Sequence, residues 1–396
     1  MVSSSSIINT AAVLHGAGDL RIQQRTPQPP QPGHAQVKVM STTLCGSDLH
    51  YFAHGRNGTF QLQHPMCLGH ESSGVVTAVG EGVTSLRPGM RVAIECGIPC
   101  NDTSTCARCA EGRYNLCPSL RFCSSAKTHP HLDGTLQTLM NHPASLLHPL
   151  PSNISFDQGA LAEPLGVIIH AARRAESALK PGARVLVFGA GAVGLLACML
   201  ARAQGASSVV CVDVNEDRLQ FAKAQGFVGI TFNAATQGPP RQSMDPNATP
   251  AEITLATMDR AKNGADRILT SAGMKPGEDG FDVVFECTGA EPCIQTAVYA
   301  TRLGGKVMLV GMGTPNVMLP LSAAACREVD LLGVFRYANT YPAALALLGS
   351  GALDGVEKMI THRFPLSESK RAFDVMKKGV DEDGRLVVKV CIDGEP

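Results

Sequence analysis

Two textures of hydrophobic and polar positions divide the chain. Up to about residue 165, short runs with every second position apolar, such as Ala35–Val39 and Gly74–Gly80, are separated by glycine and proline turns. A period of two predicts half-buried strands, here in a β-rich, irregular region. Pro27, Pro29, Pro30, Pro32 and Gly33 mark a loop within it. From about 166 the apolar runs become continuous and alternate with helical stretches. Val185–Phe188 precedes an Ala/Leu/Met-rich helix to about Gln204, and Val209–Val212 precedes a helix over 216–225. Phe281–Glu286, a helix over about 292–303, Val307–Val310 and Leu331–Phe335 complete the series. Continuous apolar strands between helices predict a parallel sheet covered on both faces.

The stretch Ala234–Gly280 is longer than a crossover needs. Gly238–Pro250 is polar and proline-containing, and Ala251 to about Ala272 has helical spacing, carried by Ile253, Leu255, Met258 and Ala261. The segment reads as a surface insertion of loop, helix and loop. The chain's 396 residues predict two or three domains. Lys+Arg and Asp+Glu are both 34, so the basic excess of a nucleic-acid-binding surface is absent. The longest largely apolar run, Val185–Ala201, is short for a membrane span and holds three glycines. Met1–Thr10 lacks the layout of a secretory signal. These features predict a soluble cytoplasmic protein with reduced thiols, bound neither to nucleic acid nor to a membrane.

Gly189, Gly191 and Gly194 form G-x-G-x-x-G between an apolar strand and a helix, and Asp213 ends the next strand. That is the dinucleotide fingerprint in its proper context. Gly189 suits the tight turn, Gly191 a close approach to a pyrophosphate, and Gly194 close contact of helix and strand. Val193 and Arg218 join the candidate coenzyme residues. An acid at Asp213 accepts ribose hydroxyls and repels a 2′-phosphate, so NAD is expected rather than NADP.

Five of the 14 cysteines fall between Cys96 and Cys117. Cys100, Cys106, Cys109 and Cys117 supply four thiolates, which suits a closed, structural zinc. Cys96 is a rival first ligand; its alternative is an ordinary buried thiol. A second group comprises Cys45-Gly-Ser47-Asp48-Leu-His50, Gly69-His70-Glu71 and Glu163-Pro164. A thiolate, an imidazole and carboxylates suit a zinc with an exchangeable position, where the metal works as a Lewis acid.

With these motifs in place the chain resembles the zinc-dependent medium-chain alcohol and polyol dehydrogenases, over residues 10 to 392. Within that family it is most similar to the sorbitol and xylitol dehydrogenase group, including fungal forms. The matching stretches are CGSDLHYFAHGRNG at Cys45–Gly58, GRYNLCPSLR at Gly112–Arg121, GVFRYAN at Gly333–Asn339 and THRFP at Thr361–Pro365. The resemblance implies an α/β fold: a β-rich GroES-like catalytic domain over 1–165 and 335–396, and a doubly wound Rossmann coenzyme domain over 166–334. It implies catalytic zinc on Cys45, His70 and Glu71, with Glu163 near the zinc water. Ser47 would pass the alcohol proton onward, and His50 would stand at the solvent end of that relay. Arg336 and Tyr337 would bind polyol hydroxyls or the zinc water; Tyr51 and Phe60 would wall the pocket. Nicotinamide and zinc would meet in the cleft between the domains.

The implied reaction is oxidation of a secondary alcohol of a polyol, such as sorbitol or xylitol, to the ketose with NAD. A homotetramer is also implied. The alternatives are an L-arabinitol 4-dehydrogenase, another zinc alcohol or threonine dehydrogenase, and a catalytically inactive zinc-binding regulator. An aromatic at Phe60 favours sorbitol and xylitol, because L-arabinitol enzymes of the family tend to carry methionine there. Two departures stand out. Three residues are inserted after Cys100 relative to the family's cysteine spacing, and 234–280 is longer than in animal sorbitol dehydrogenases.

Overall fold

The period-two runs of the first region become an antiparallel sheet around the strand His34–Thr43. In that strand Ala35, Val37 and Val39 point into the core, and Ser41, Thr42 and Thr43 are buried as well. The structure is a computed structural model and describes residues 8–240, 247–277 and 279–394. The chain forms two compact units, one of Met1–Gly166 with Tyr337–Pro396 and another of Val167–Arg336.

In the first unit, His34–Thr43 pairs with Glu71–Val79 on one side and with Lys389–Asp393 on the other. The register sets Thr43 opposite both Glu71 and Cys391. Leu44 N–H then reaches the Val390 carbonyl at 2.9 Å. Three segments distant in sequence therefore end together, at Cys45, Glu71 and Lys389. A core cluster that includes Leu14, Leu44, Tyr51, Phe52, Leu136 and Phe373 backs this end of the sheet. The helix Gly46–His54 begins directly after the central strand.

The second unit is a six-stranded parallel sheet. Its order is 230–233, 208–213, 184–188, 281–286, 301–309 and 330–333. This is the doubly wound order, with the reversal beside the first strand of the unit, Arg184–Phe188. The fold class is thus the expected one. The strand Thr301–Leu309 starts well before Val307, because Gly304 and Gly305 interrupt the apolar run that marks it in the sequence.

The segment 234–280 differs from expectation. Its helix, Pro250–Ser271, is the crossover between the strands Ile230–Asn233 and Phe281–Glu286. Ala261, Gly264, Ala265, Ile268 and Leu269 are buried, a stripe that faces the core. The first turns project outward, with Leu255 exposed. They begin at a capping box in which Glu252 N–H donates to Thr249 Oγ1 and Thr249 N–H to Glu252 Oε2. Residues 241–246 of the expected loop lie outside the described residues. No described helix is long and apolar enough to cross a membrane.

Candidate active site and metal centres

Cys45 caps the helix Gly46–His54, and its N–H donates to Asp48 Oδ2 at 3.2 Å. His70 lies one residue before the strand Glu71–Val79. It follows Gly69, whose φ of +91° and contacts exclude a side chain: a Cβ there would sit 2.8 Å from Leu136 Cγ. The ligand atoms of Cys45, His70 and Glu71 all lie within 4.8 Å of one another. Asp48 is fully buried and accepts from Gly69 N–H at 3.1 Å and Ser124 Oγ–H at 2.6 Å. It also meets His70 Nδ1 at 3.2 Å. A carboxylate on Nδ1 places the proton there and leaves the Nε2 lone pair toward Cys45 and Glu71, the tautomer a metal ligand needs. Burial alone would raise the Asp48 pKa; His70, Ser124 and Gly69 outweigh it and hold the carboxyl below its usual range. Phe122 closes over the His70 ring edge-on, with centroids 5.4 Å apart.

Glu71 Oε2 is held by Lys389 Nζ at 2.5 Å and by the Thr43 hydroxyl. Lys389 is 4 % exposed and Glu71 1 %. Burial favours a neutral amine at Lys389, but Glu71 and Cys45 outweigh it and hold the pKa above the ordinary lysine value. Ser47 Oγ stands 3.4 Å from His70 Nε2. Glu163 is buried within the helix Phe156–Ala175, and its charge acts on Lys389 and Tyr337. Tyr337 is 2 % exposed; its ring is 5.6 Å from Tyr341, and its hydroxyl has no hydrogen-bond partner among the described residues.

The other candidates are placed less directly. His50 is exposed on the helix 46–54, three residues from Ser47 and on the same side. Tyr51 belongs to the core, where its hydroxyl accepts from Ala126 N–H at 2.9 Å. Phe60 is half-buried against the same core. Arg336 ends the second unit in a left-handed conformation, φ +50°, with its guanidinium over the Phe335 ring.

The four lobe cysteines converge. Cys100 and Cys109 sulfurs are 3.6 Å apart, Cys100 and Cys117 3.5 Å, and Cys106 and Cys117 3.9 Å. A tetrahedron with metal–sulfur bonds of about 2.3 Å has edges of about 3.8 Å, so the cage fits zinc. The thiols share protons unequally, with Cys117 lowered to about 7 and Cys109 raised to about 12, in each case against or with burial and through bonds to the other lobe sulfurs. Cys96 lies apart, fully buried, its thiol on the Ile94 carbonyl. The residues inserted after Cys100 fold as a tight turn in which Asp102 accepts from Ser104 and Thr105. A third convergent set, Asp157, Cys391 and Asp393, is already bridged by Arg363, which pairs with both acids.

In the second unit Gly189 has φ +99°, and a Cβ on Gly194 would lie 1.8 Å from the Gly189 carbonyl oxygen. Only glycine lets the helix Ala192–Ala203 start so close to its strand. Val193 is half-buried in the first turn. Asp213 Oδ2 accepts from Ala190 N–H at 2.7 Å and Oδ1 from Asn215 N–H at 2.9 Å. It therefore braces the glycine loop, and each oxygen keeps a further lone pair. Arg218 lies at the start of the next helix, its N–H on the Asn215 cap.

Asp48 entered the sequence reading only as part of the Cys45–His50 motif, with no role of its own, and Ser124, Phe122, Thr43 and Lys389 were not singled out. Asp48 stands three residues after Cys45, at the helix position that reaches back to the cap. Lys389 is the lone charge in the apolar run Val387–Ile392. Either feature was a usable signal.

Residues 31–152 match the family described as alcohol dehydrogenase GroES-like domain, and 192–350 match zinc-binding dehydrogenase. Sorbitol dehydrogenase of Gallus gallus is 42% identical over 371 residues, 94% of each chain. That of Homo sapiens is 40% identical over 380 residues, 96% of each. Among solved structures, L-idonate 5-dehydrogenase of Escherichia coli superposes with a TM-score of 0.80 at 28% identity, over 98% of both chains. With the zinc-compatible donor set and the doubly wound sheet, these near-full-length matches establish that the chain belongs to the zinc-binding alcohol dehydrogenase family, in the branch that holds the animal sorbitol dehydrogenases.

Proposed function

We propose that the chain is an NAD-dependent polyol dehydrogenase that oxidises a secondary alcohol of sorbitol or xylitol to the ketose. The observation that carries this reading is the convergence of Cys45, His70 and Glu71 within 4.8 Å, with Asp48 fixing the His70 tautomer. These three residues would hold zinc, and the four lobe cysteines a second, structural zinc. When bound, the catalytic zinc supplies Lewis-acid polarisation of the alcohol oxygen, and NAD supplies the hydride acceptor.

The remaining work falls to the chain's own groups. Ser47 takes the alcohol proton and passes it toward His50 and solvent. Glu163 orients water at the open side of the site. Arg336 and Tyr337 pair with substrate hydroxyls, each of which costs about 1–3 kcal/mol if buried unpaired; the unpartnered Tyr337 hydroxyl supports that role. Tyr51 and Phe60 support the wall from the core side. Gly189, Gly191, Val193 and Gly194 shape the pyrophosphate site, and Asp213 and Arg218 border the adenosine ribose. The catalytic part comprises 1–165 and 335–396, the coenzyme part 166–334. We assign the enzyme to the reducing cytoplasm, where its zinc-binding thiols stay reduced, and, as the family resemblance of its motifs implies, to a homotetramer.

A panel of sorbitol, xylitol, L-arabinitol and ethanol, each with NAD and with NADP, tests the reading. Sorbitol and xylitol with NAD are expected to give the highest kcat/KM, and ethanol the lowest. Arg336→Ala is expected to cost more with sorbitol than with a short diol. A preference for ethanol removes the polyol assignment, and a preference for L-arabinitol over xylitol reverses the inference from Phe60.

A further inference from the structure

Three histidines outside the site form a cluster with an unusual hydrogen-bond pattern. The His64 and His131 rings stack with centroids 3.9 Å apart, and His129 stands edge-on at 5.0 Å from His64 and 6.1 Å from His131. Gln63 N–H donates to His131 Nε2 at 3.0 Å, and His131 N–H donates to His64 Nε2 at 3.0 Å. A backbone N–H can only donate, so both Nε2 atoms must be bare acceptors. On the other side, His131 Nδ1 meets the Thr128 carbonyl at 2.8 Å and His64 Nδ1 the Pro65 carbonyl at 3.3 Å. A carbonyl can only accept, so both Nδ1 atoms carry the hydrogen. Each ring is thereby fixed as the neutral Nδ1–H tautomer. Protonating either Nε2 would point N–H at N–H and break the link between 62–65 and 124–131.

That link leads to the metal-site residues. The same loop carries Phe122, which covers His70, and Ser124, whose hydroxyl holds Asp48 on the back of His70. Ala126 N–H is anchored on Tyr51 of the site helix. We propose that His64 and His131 are positioning residues: a neutral-imidazole latch that holds the 122–131 loop, and through Ser124 and Phe122 the orientation of His70, and that opens when either ring is protonated.

The charged surroundings favour the neutral form. His64 and His129 both disfavour a proton on His131, and Arg121 places its guanidinium 3.2 Å from the Pro130 carbonyl and 3.5 Å from that of His131. Lys127 belongs to the same loop. Asp133, the nearby acid, is committed to Arg25 at 2.6 Å and to Cys67 N–H. Burial is the first cause that lowers the His131 pKa below the ordinary histidine value. The latch is therefore shut at neutral pH and opens on the acid side.

The inference rests on the assignment of His70 as a zinc ligand, but its main readout does not. The zinc-loaded enzyme is examined by hydrogen exchange of the 122–133 peptide from pH 7.5 to 5, corrected for intrinsic exchange. The wild type is expected to lose protection by about tenfold per pH unit once the first ring titrates. His64→Gln/His131→Gln offers an amide oxygen to each backbone N–H and cannot titrate, so its protection is expected to stay flat. His64→Phe keeps the stack without the acceptor, and is expected to show the open loop at pH 7.5 with faster zinc loss to a chelator. Should the double variant fold poorly, His64→Gln alone leaves one titrating ring, so its loss is expected not to exceed tenfold per pH unit, against up to about a hundredfold in the wild type once both rings titrate. A wild-type profile in the glutamine variants, or an unchanged loop in His64→Phe, overturns the latch. A changed loop with unchanged zinc release keeps the latch and instead counts against His70 as the ligand it serves.

Discussion

Removing the Lys389 ammonium is the most revealing single change at the site. Lys389→Met preserves most of the side-chain volume and leaves the Glu71 carboxylate 1 % exposed without its cation. Breaking a buried ion pair on one side costs about 3–5 kcal/mol, mostly for the stranded charge. In a unit of this size each kcal/mol moves Tm by about 2–4 °C, so the metal-free protein is predicted to melt at least ~6 °C lower. Zinc changes the sum. If Glu71 is a ligand, the metal supplies the missing positive charge, and the loss in the zinc-loaded protein is predicted to be less than half as large. The assay is calorimetric melting of wild type, Lys389→Met, Glu71→Gln and the double variant, each with and without zinc. The double variant is predicted to recover most of the stability, a coupling of roughly 2 kcal/mol or more without metal. Equal losses with and without zinc, or additive single effects, refute the assignment of Glu71 as the shared partner of lysine and metal.

Further outcomes follow from other parts of the molecule. Cys45→Ser is predicted to abolish turnover with little change in melting, whereas Cys109→Ser loosens the lobe around 96–123 and lowers Tm; indistinguishable effects on zinc content and melting contradict two separate sites. Asp213→Ser is predicted to weaken NAD use and admit NADP, and a wild type that prefers NADP contradicts the part given to Asp213. Burial holds His142 neutral, with its pKa lowered to about 4, while its Nε2–H donates to the Glu95 carbonyl. The unfolded chain binds that proton first, so stability falls as pH drops from about 6.5 to about 4 and levels off below, by about 3 kcal/mol in all. Urea midpoints across that range are predicted to flatten in His142→Gln, and an unchanged slope would exclude this histidine as the cause.

The parts of the site that were legible in the sequence are those built from local spacing. Cys100 to Cys117 lie within one lobe, and Gly189 to Gly194 within one turn, so neighbours in sequence are neighbours in space. Cys45, His70 and Glu71 were recognisable by residue type and family resemblance. Their mutual placement depends on the pairing of His34–Thr43 with Glu71–Val79, which alternation alone does not specify. The same long-range register hid Lys389, which reaches Glu71 only because Lys389–Asp393 flanks the other edge of that strand. The histidine latch was invisible for a related reason: its hydrogen bonds come from backbone groups of two loops. The helix Pro250–Ser271 was placed correctly from its spacing but read as a surface insertion rather than a crossover, because its exposed first turns read as surface while the buried stripe begins only at Ala261.

In the proposed reaction, metal held by Cys45, His70 and Glu71 drives NAD-dependent oxidation of a polyol. It is tested most directly by stripping the protein with a chelator and titrating zinc back while NADH formation from sorbitol is followed, with bound zinc measured on the same samples. Turnover is predicted to disappear with the metal, to return in proportion to zinc bound, and never to return in Cys45→Ser, although that variant still fills the four-cysteine lobe. Stripped protein that oxidises sorbitol at the full rate, or fully loaded protein that leaves it untouched, would exclude that role for the metal and these three residues.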